Sequence, residues 1–340
     1  MLDMRQGRIL VTGGSGMIGS AIIWALNRRG FANILVSDRL DTSEKWKNLV
    51  PLRFEDYLDA DDLLMRISHM PETLADVQTV FHLGACSATT ETDSAFLMKN
   101  NYQYTVSLAE WCLANGKRFV YASSAATYGA LEEGLSEDLE PTTLRPLNMY
   151  AYSKHLFDLR ASREGWLSYI TGVKYFNIFG PNENHKANMR SVVNKAYTQI
   201  MSEGRVTLFK SYRSDFADGM QRRDFFYVKD AAAATIHLAE SESVGLFNVG
   251  SGEARTWVDL VRPIFSALGR PERIEFIDMP SELVDKYQYH TKADISKIKE
   301  SGYKGPITPL HEAVHEYVAR YLMPGKLLDV ADDSDCIAAF

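Results

Sequence analysis

Short apolar runs alternate with amphipathic segments through the first half of the chain. Four runs rich in β-branched and aromatic residues indicate buried strands, at Ile9–Thr12, Ile34–Ser37, Thr79–Leu83 and Phe119–Ser123. Helical periodicity between them indicates three helices, at Met17–Arg29, Ala60–Ser68 and Ser94–Asn115. Nearly continuous apolar strands that alternate with helices predict an α/β fold, a Rossmann-like doubly wound parallel sheet with helices on both faces.

A glycine-rich segment follows the first predicted strand and opens directly into a helix. Gly13-Gly14-Ser15-Gly16-Met17-Ile18-Gly19 satisfies the G-x-G-x-x-G pattern, and Asp38 ends the next strand about twenty residues further on. The glycines permit a tight turn and close approach of the backbone to a pyrophosphate, which binds at the positive end of the helix. The segment therefore predicts a dinucleotide site formed by Gly13, Gly16, Met17, Ile18 and Gly19.

The residues around Asp38 leave two dinucleotides open. The Asp38 carboxylate favours NAD, because it suits a free ribose 2′-hydroxyl and repels a 2′-phosphate. Arg39, Lys45 and Lys47 favour NADP, although they also suit an ordinary solvated surface. On the count of charges we expect NADP, bound in part by Asp38, Arg39 and Lys45, with NAD as the alternative.

The second half of the chain is more polar. Val173–Phe176 and Gly245–Val249 indicate later strands of the same sheet, and the intervening segments carry more Gly and Pro. We predict three parts: a dinucleotide-binding domain at 1–176 plus about 224–255; a smaller α/β substrate-binding lobe at about 177–223 and 256–322, closed by a helix at Pro309–Leu322; and a flexible tail at 323–340.

A second motif combines a tyrosine with a lysine one helical turn later. Tyr150-Ala151-Tyr152-Ser153-Lys154 matches Tyr-x-x-x-Lys, so both functional side chains share one face of a helix. An ammonium group nearby stabilises a phenolate, which makes Tyr150 a feasible acid–base group despite the ordinary tyrosine pKa of about 10. Ser124 ends an earlier strand and is placed to hydrogen-bond the reacting oxygen. These residues predict nicotinamide-dependent chemistry on a hydroxyl or carbonyl.

Composition excludes several other classes of protein. Of the 340 residues, 46% are apolar and 24% are charged, which suits a globular enzyme. The net charge is −7 and no Lys/Arg block occurs, so we expect no nucleic-acid partner. No apolar run approaches the roughly 18 residues that span a bilayer. Three scattered cysteines and a polar start indicate a reduced, cytoplasmic protein without a signal peptide or membrane partner.

Together these motifs resemble the extended short-chain dehydrogenase/reductase superfamily, whose members modify nucleotide sugars. Longer segments are similar to the ADP-L-glycero-D-manno-heptose 6-epimerase family, from about Arg8 to Leu322: Gly84-Ala85-Cys86-Ser87-Ala88-Thr89-Thr90-Glu91, Asn100-Asn101-Tyr102-Gln103-Tyr104, the segment 121–129, and the segment 175–181 with His185-Lys186. The resemblance implies inversion at C6 of an ADP-activated heptose by tightly bound NADP, for lipopolysaccharide inner-core synthesis. It also implies a homo-oligomer, a pentamer.

The resemblance further implies roles for individual residues. Tyr150 and Lys186 would be the two acid–base groups, supported by Ser124 and Lys154. Besides the glycine segment, the cofactor would contact Leu83, Gly84, Ala85, Cys86, Ser87, Asn100, Lys154, Ile178 and Lys186. The sugar nucleotide would contact Ser87, Asn177, Asn188, Lys195, Phe209, Lys210, Ser211, Tyr212, Arg223 and Tyr287.

Other functions remain open at this stage. Another nucleotide-sugar 4-epimerase would use the same motifs. A dehydratase would place an Asp-Glu pair directly after the strand-end serine, where this chain has Ala125-Ala126. A non-catalytic dinucleotide-sensing scaffold would not need the intact Tyr150 and Lys154. His311-Glu312-Ala313-Val314-His315 matches a zinc-protease helix, but no third ligand is evident, so we expect a solvated helix face and no metal.

Overall fold

Seven parallel strands form the central sheet of the computed structural model, which describes residues 3–284 and 287–332. Numbered along the chain and given in their order across the sheet, they are β11 (Gly245–Val249), β6 (Thr171–Tyr175), β5 (Arg118–Ser124), β4 (Val77–His82), β1 (Arg8–Thr12), β2 (Ile34–Asp38) and β3 (Asp56–Asp59). All six predicted strands are confirmed to within two residues at each end. The edge strand β3 was not predicted, because Asp56-Tyr57-Leu58-Asp59 is mostly polar.

The side chains of the central strand β1 alternate between two hydrophobic cores. Ile9 and Val11 belong to a core that includes α1 (Met17–Arg28) and α7 (Val228–Glu240). Leu10 belongs to the core on the other face, which includes residues of α4 (Tyr104–Ala114) and α5 (Met149–Arg163). Successive strand residues point to opposite faces, so a strand covered on both sides is apolar throughout. The predicted doubly wound α/β fold is confirmed.

The remaining α-helices connect or flank these layers. They are α2 (Ala60–His69), α3 (Ser94–Leu97), α6 (Val192–Glu203), α8 (Trp257–Ala267), α9 (Ser281–Val284), α10 (Ser296–Glu300) and α11 (Leu310–Glu316). The predicted C-terminal helix is confirmed, although its second half, Tyr317–Leu322, is π-helical. No helix in the described ranges combines the length and the apolar character that a membrane crossing requires.

The helix predicted at Ser94–Asn115 is divided into three pieces. Helix α3 ends at Leu97, a π-helical segment covers Met98–Gln103, and α4 begins at Tyr104. Short π-helical segments widen a helix by one residue and occur frequently at functional sites. This one contains the fully buried Asn101, whose side chain reaches toward the cleft described below. Hydrophobic periodicity alone does not reveal such an insertion, because the apolar positions on both sides remain helical.

Three small two-stranded sheets lie within the second half of the chain. Strand β7 (Asn177–Phe179) pairs in parallel with β10 (Phe225–Tyr227), β8 (Val206–Phe209) pairs in parallel with β13 (Ile274–Ile277), and β9 (Arg222–Arg223) pairs antiparallel with β12 (Arg255–Thr256). All six are short, and they fall in or next to the segments expected to form the smaller lobe. The division of the chain into two domains at these boundaries stays a prediction.

The described part of the expected tail packs against the first helix. Leu328 is fully buried, and its backbone N–H donates to Asn182 Oδ1 at 3.0 Å. The indole Nε1 of Trp24 donates to the backbone oxygen of Asp329 at 3.2 Å. The expectation of a loose tail therefore does not hold for this segment, because its apolar side chain and backbone groups find partners that periodicity does not reveal. The rest of the predicted tail, 333–340, lies outside the described residues.

Candidate active site

A cleft of about 650 Å³ opens at the carboxyl ends of the central strands. In doubly wound sheets, ligands bind at this edge, beside the first helix. Its described lining includes the glycine segment, the end of β2 with Lys45, the loop 83–89 after β4, the end of β5, helix α5, the segment 175–193, and Trp257 at the start of α8. The cleft therefore brings together residues that lie far apart in the sequence.

The glycine segment forms a close-packed cradle at the start of α1. Gly13 has φ +66°, and a Cβ atom there would lie 2.6 Å from the backbone nitrogen of Gly84. The N-cap residue Gly16 provides no side-chain hydrogen bond to the helix, and Met17, Ile18 and Gly19 line the cleft. The first amide groups of a helix have no intrahelical acceptor and bind anions. The cradle thus fits a dinucleotide pyrophosphate on geometry as well as on sequence.

Asp38 lies in the cleft at the end of β2 and is already paired. Its Oδ1 atom accepts from Lys45 Nζ at 2.8 Å, and Oδ2 accepts from the backbone nitrogen of Ser15 at 2.9 Å. The Ser15 hydroxyl also donates to Oδ2. The carboxylate is 9% exposed, so Lys45 offsets its charge in a partly dry site. Both predicted residues therefore line the cleft together with the glycine segment.

Arg39 lies beside this site, with its guanidinium turned toward other partners. Its Nη1 donates to Asn100 Oδ1 at 2.8 Å, and its Nη2 pairs with Asp61 at the exposed start of α2. Among the described residues, Arg39 and Asn100 do not line the cleft, whereas the other predicted cofactor residues do. The hydrogen bond between Arg39 and Asn100 places both residues at the margin of the cleft, next to Asp38.

Tyr150, Lys154 and Ser124 meet at the floor of the cleft. Burial raises the pKa of Tyr150 above its ordinary value, and the hydrogen bond with Ser124 works in the opposite direction. Burial lowers the pKa of Lys154 to about 8, against the opposing charge of Asp158. Lys154 Nζ donates to the backbone oxygen of Ala122 at 2.8 Å, which anchors it to β5. The predicted trio is therefore assembled, with the pKa of Tyr150 raised and the pKa of Lys154 lowered.

Asn101, which the sequence did not single out, connects the cofactor loop to α5. Its Oδ1 accepts from the backbone nitrogen of Cys86 at 2.9 Å, and its Nδ2 donates to the Cys86 oxygen at 3.0 Å. Nδ2 also donates to Ser153 Oγ at 3.0 Å, between Tyr150 and Lys154. The sequence shows two adjacent asparagines, Asn100 and Asn101, but it does not show which side chain faces inward. The π-helical segment turns Asn101 toward Cys86 and Ser153.

Lys186 enters the same cleft from a 3-10 helix at Asn184–Met189. Burial lowers the pKa of its ammonium group, and the nearby Glu183 carboxylate opposes that effect. Its Nζ atom lies 3.4 Å from Met17 Sδ, at the start of α1. The next residue, Ala187, has φ +46°, a conformation that is rare for a residue other than glycine and typical of functional sites. A half-buried lysine next to a strained residue therefore lines the cleft beside the predicted cofactor site.

The residues predicted to contact the sugar nucleotide fall into two groups. Ser87 and Asn177 line the cleft. The other eight lie outside its described lining: Asn188, Lys195, Phe209, Lys210, Ser211, Tyr212, Arg223 and Tyr287. Two of these eight, Arg223 and Tyr287, form an aromatic cluster with Trp257. The Arg223 guanidinium lies 5.1 Å from the ring centre of Tyr287 and 5.7 Å from that of Trp257.

Trp257 joins this aromatic cluster to the cleft. It lines the cleft, and its Nε1 donates to Tyr287 OH at 2.8 Å. Sequence reasoning assigned no role to it, or to Glu183, His185, Met189 and Arg190, which also line the cleft. His185 belongs to the His185-Lys186 segment of the resemblance, but the other three carry no motif, and a tryptophan at the start of a helix normally indicates packing. Only the fold shows that these residues converge.

The zinc-like motif has no metal geometry. His311 and Glu312 lie on α11 with side chains 72% and 60% exposed, and their closest N–O distance is 3.7 Å. No group of three or more His, Cys, Asp or Glu side chains within residues 3–284 and 287–332 is arranged to hold a metal ion. This helix presents Ala313 and Val314 to the core.

The doubly wound sheet, the glycine cradle and the Tyr–Lys pair beside a strand-end serine define a nicotinamide-dependent enzyme of the short-chain dehydrogenase/reductase type. The model of the NAD dependent epimerase/dehydratase family matches residues 9–250. The chain therefore belongs to that family. The predicted resemblance is confirmed, as is the prediction of an isomerase.

Individual relatives narrow the comparison. ADP-L-glycero-D-manno-heptose-6-epimerase of Nitratidesulfovibrio vulgaris is 52% identical over 316 residues, covering 92% of this chain and 97% of that protein. The crystal structure of the Helicobacter pylori ADP-L-glycero-D-manno-heptose-6-epimerase is 26% identical, with a TM-score of 0.79, and the match covers 94% and 98% of the two chains. A Thermus thermophilus UDP-glucose 4-epimerase in complex with NAD is 26% identical, with a TM-score of 0.74 and coverage of 92% and 97%.

Proposed function

We propose that this enzyme converts ADP-D-glycero-D-manno-heptose to ADP-L-glycero-D-manno-heptose by inversion at C6. The observation that carries the proposal is the 52% identity to a heptose epimerase over almost the whole of both chains. The cleft supports it, because Tyr150, Lys154 and Lys186 all reach the same space. The product would supply lipopolysaccharide inner-core synthesis, and the proposed location is the cytoplasm.

The cofactor we propose is NADP, with NAD as the alternative. When bound, the dinucleotide would supply a hydride acceptor for C6 and then a hydride donor for the opposite face of the ketone. Gly13, Gly16 and the first turn of α1 would hold the pyrophosphate, where the amide groups and the helix dipole favour negative charge. Lys45 would turn from Asp38 toward a 2′-phosphate, supported by Arg39. Because the reaction has no net redox change, the protein has no need to release the dinucleotide between turnovers.

Tyr150 is the first proposed acid–base group. Its phenolate would accept the C6 hydroxyl proton as the ketone forms, and the resulting phenol would return a proton as the alcohol is restored. Burial opposes the phenolate, so the reaction depends on the Lys154 ammonium one turn away and on the Ser124 hydroxyl. Ser124 would also donate to the reacting oxygen, which fixes the position of C6.

Lys186 is the second proposed acid–base group. One fixed cofactor face must meet both faces of the ketone, so the C6 oxygen lies in different places in the two stereoisomers. A single phenol at Tyr150 does not easily reach both places. Lys186 comes from another wall element and has a flexible stem, and its lowered pKa makes proton release easier than from an exposed lysine.

The substrate nucleotide would extend from the cleft toward the aromatic cluster. Ser87 and Asn177 would contact the sugar, while Arg223 and Tyr287 would contact the nucleotide beyond Trp257. The proposed substrate contacts also include Asn188, Lys195, Phe209, Lys210, Ser211 and Tyr212. We further propose a homo-oligomer, in line with the pentamer that the family resemblance implies.

Incubation with ADP-D-glycero-D-manno-heptose tests the proposal. We expect conversion to the L-glycero epimer, measured by the NMR signals at C6, with no net accumulation of reduced cofactor. In deuterium oxide, C6 should acquire no deuterium, because the same hydrogen returns to it. UDP-glucose is incubated in parallel with the heptose substrate. Conversion of UDP-glucose, and not of the heptose, would indicate a 4-epimerase. Release of a deoxy-ketosugar would indicate a dehydratase and would refute the heptose assignment.

A further inference from the structure

A fully buried ion pair lies below the active-site residues. Lys174 Nζ on β6 is 3.0 Å from Asp158 Oδ2 on α5, and the two side chains are 2% and 0% exposed. Neither residue lines the described cleft. Burying two charges carries a large desolvation cost, which an ion pair only partly offsets. An apolar pair would fill the same space, so stability alone does not explain these residues.

Hydrogen bonds connect the pair to both sides of Ser124. Before Ser124, the hydroxyl of Ser123 donates to Asp158 Oδ2 at 2.7 Å. After it, Lys174 Nζ donates to Thr127 Oγ1 at 2.6 Å, and Thr127 Oγ1 donates to the backbone oxygen of Ser124 at 2.7 Å. The ion pair thus holds the strand end that carries Ser124 from two directions.

Asp158 also faces Lys154 on the same helix. Residues four apart on a helix are neighbours on one face, and Tyr150, Lys154 and Asp158 follow one another at this spacing. Tyr121 OH donates to the other carboxylate oxygen at 2.9 Å, which orients the carboxylate. The charge of Asp158 opposes the burial that lowers the pKa of Lys154.

Other titratable groups face Lys154 from neighbouring elements. The Cys86 thiol approaches from the loop after β4, and Tyr150 lies one turn earlier on α5. His82 on β4 is fully buried, and burial holds its pKa well below the ordinary value, so it adds no charge. Lys174 lies beyond Asp158. Among the described residues, Asp158 is therefore the carboxylate that acts on Lys154.

We propose that Asp158 and Lys174 form a positioning pair for the reaction: they fix the strand end that carries Ser124, and Asp158 supplies the buried negative charge that keeps the Lys154 ammonium beside Tyr150. Loss of that charge removes the interaction that opposes burial at Lys154. The Lys154 ammonium then gives up its proton at a lower pH, and above that pH Tyr150 has no cation one turn away to support it.

The double variant Asp158→Asn/Lys174→Met tests the proposal, because it removes both charges together and avoids an unpaired buried ion. We expect the Lys154 ammonium, followed by NMR of ¹³C-labelled lysine side chains and assigned with a Lys154→Met variant, to lose its proton about one pH unit lower than in the parent. The alkaline limb of the kcat/KM profile with the heptose substrate should move to lower pH by a similar amount. Circular dichroism and bound dinucleotide would establish that the variant is folded.

The matched control is Glu110→Gln. Glu110 is the exposed ion-pair partner of Arg160 on α5, and its replacement should leave both measurements unchanged. If the double variant does not fold, Asp158→Asn/Lys174→Gln replaces it, since the two amides keep hydrogen-bonding groups near Ser123 and Thr127 and leave no unpaired buried charge. A folded variant with an unchanged Lys154 titration would overturn the proposal.

The kinetic part rests on the proposed function, whereas the Lys154 titration needs no substrate. Failure of the parent to epimerise the heptose, with the shift of the Lys154 titration present, would therefore refute the function and leave the positioning pair supported.

Discussion

Lys45 donates to the Asp38 carboxylate at 2.8 Å, where the adenosine ribose of a dinucleotide belongs. Lys45 therefore places a positive charge beside Asp38, whose carboxylate would repel a 2′-phosphate. Replacement of Lys45 by Ala should therefore weaken NADP binding by at least about tenfold more than NAD binding, because it leaves Asp38 unpaired facing the phosphate. Equilibrium titration of the dinucleotide-free protein measures the affinities for NADP and NAD.

Arg39→Ala should also weaken NADP binding more than NAD binding, but less strongly, because Arg39 is held by Asn100 and Asp61. Equal losses for both dinucleotides in both variants would exclude a role in selectivity.

The purified protein should retain its dinucleotide. A cofactor that is regenerated within each turnover has no need to exchange, and the close contact between Gly13 and Gly84 matches a backbone fitted to a pyrophosphate. Mass spectrometry of the supernatant after denaturation would identify NADP or NAD. Gly13→Ala serves as the comparison: its Cβ would meet the backbone of Gly84, so this variant should purify with little dinucleotide. Equal occupancy in both proteins would contradict the assignment of the cradle.

Tyr150→Phe should fold as the parent does and lose most of its turnover. The phenol oxygen is the only atom removed, and acid–base groups contribute about 10²- to 10⁴-fold to rates. Steady-state kinetics with the heptose substrate measure kcat, and bound dinucleotide reports on the fold. Tyr152→Phe is the matched control, because Tyr152 lies on the same helix but is 44% exposed. A loss smaller than tenfold would remove Tyr150 from the central role.

Turnover should decline as the pH rises through about 8. Burial lowers the pKa of Lys154 to about 8, so the ammonium that supports the Tyr150 phenolate is lost above that value. The sign follows from the charge: a deprotonated lysine no longer favours an anion one turn away. Lys154→Arg, which stays charged at every accessible pH, should keep less activity overall but lose this alkaline decline. If turnover of Lys154→Arg declines with the same midpoint, a group other than Lys154 causes the decline.

Lys186→Met should retain the dinucleotide and the sugar nucleotide but epimerise at least about 100-fold more slowly, in the range that acid–base catalysis supplies. The methionine keeps most of the side-chain length and can still pack against Met17. Lys299→Met, on the exposed side of α10, is the control and should match the parent. If Lys186→Met stays within tenfold of the parent with binding unchanged, Tyr150 serves both faces of the ketone alone.

The sequence by itself determined the sheet, the glycine cradle and the Tyr150–Lys154 pair. These features depend on local spacing: period-two and period-3.6 patterns, a turn that needs glycine, and two side chains one helical turn apart. Tertiary structure decided what depends on distant contacts. It selected Asn101 as the inward amide through a π-helical turn, brought Trp257 beside Arg223, paired Lys45 with Asp38, and buried Leu328 against Asn182. It also joined Asp158 to Lys174, two charged residues that look solvated in the sequence. Whether a polar side chain faces water or a buried partner depends on elements that are remote in the chain, and no local pattern records that.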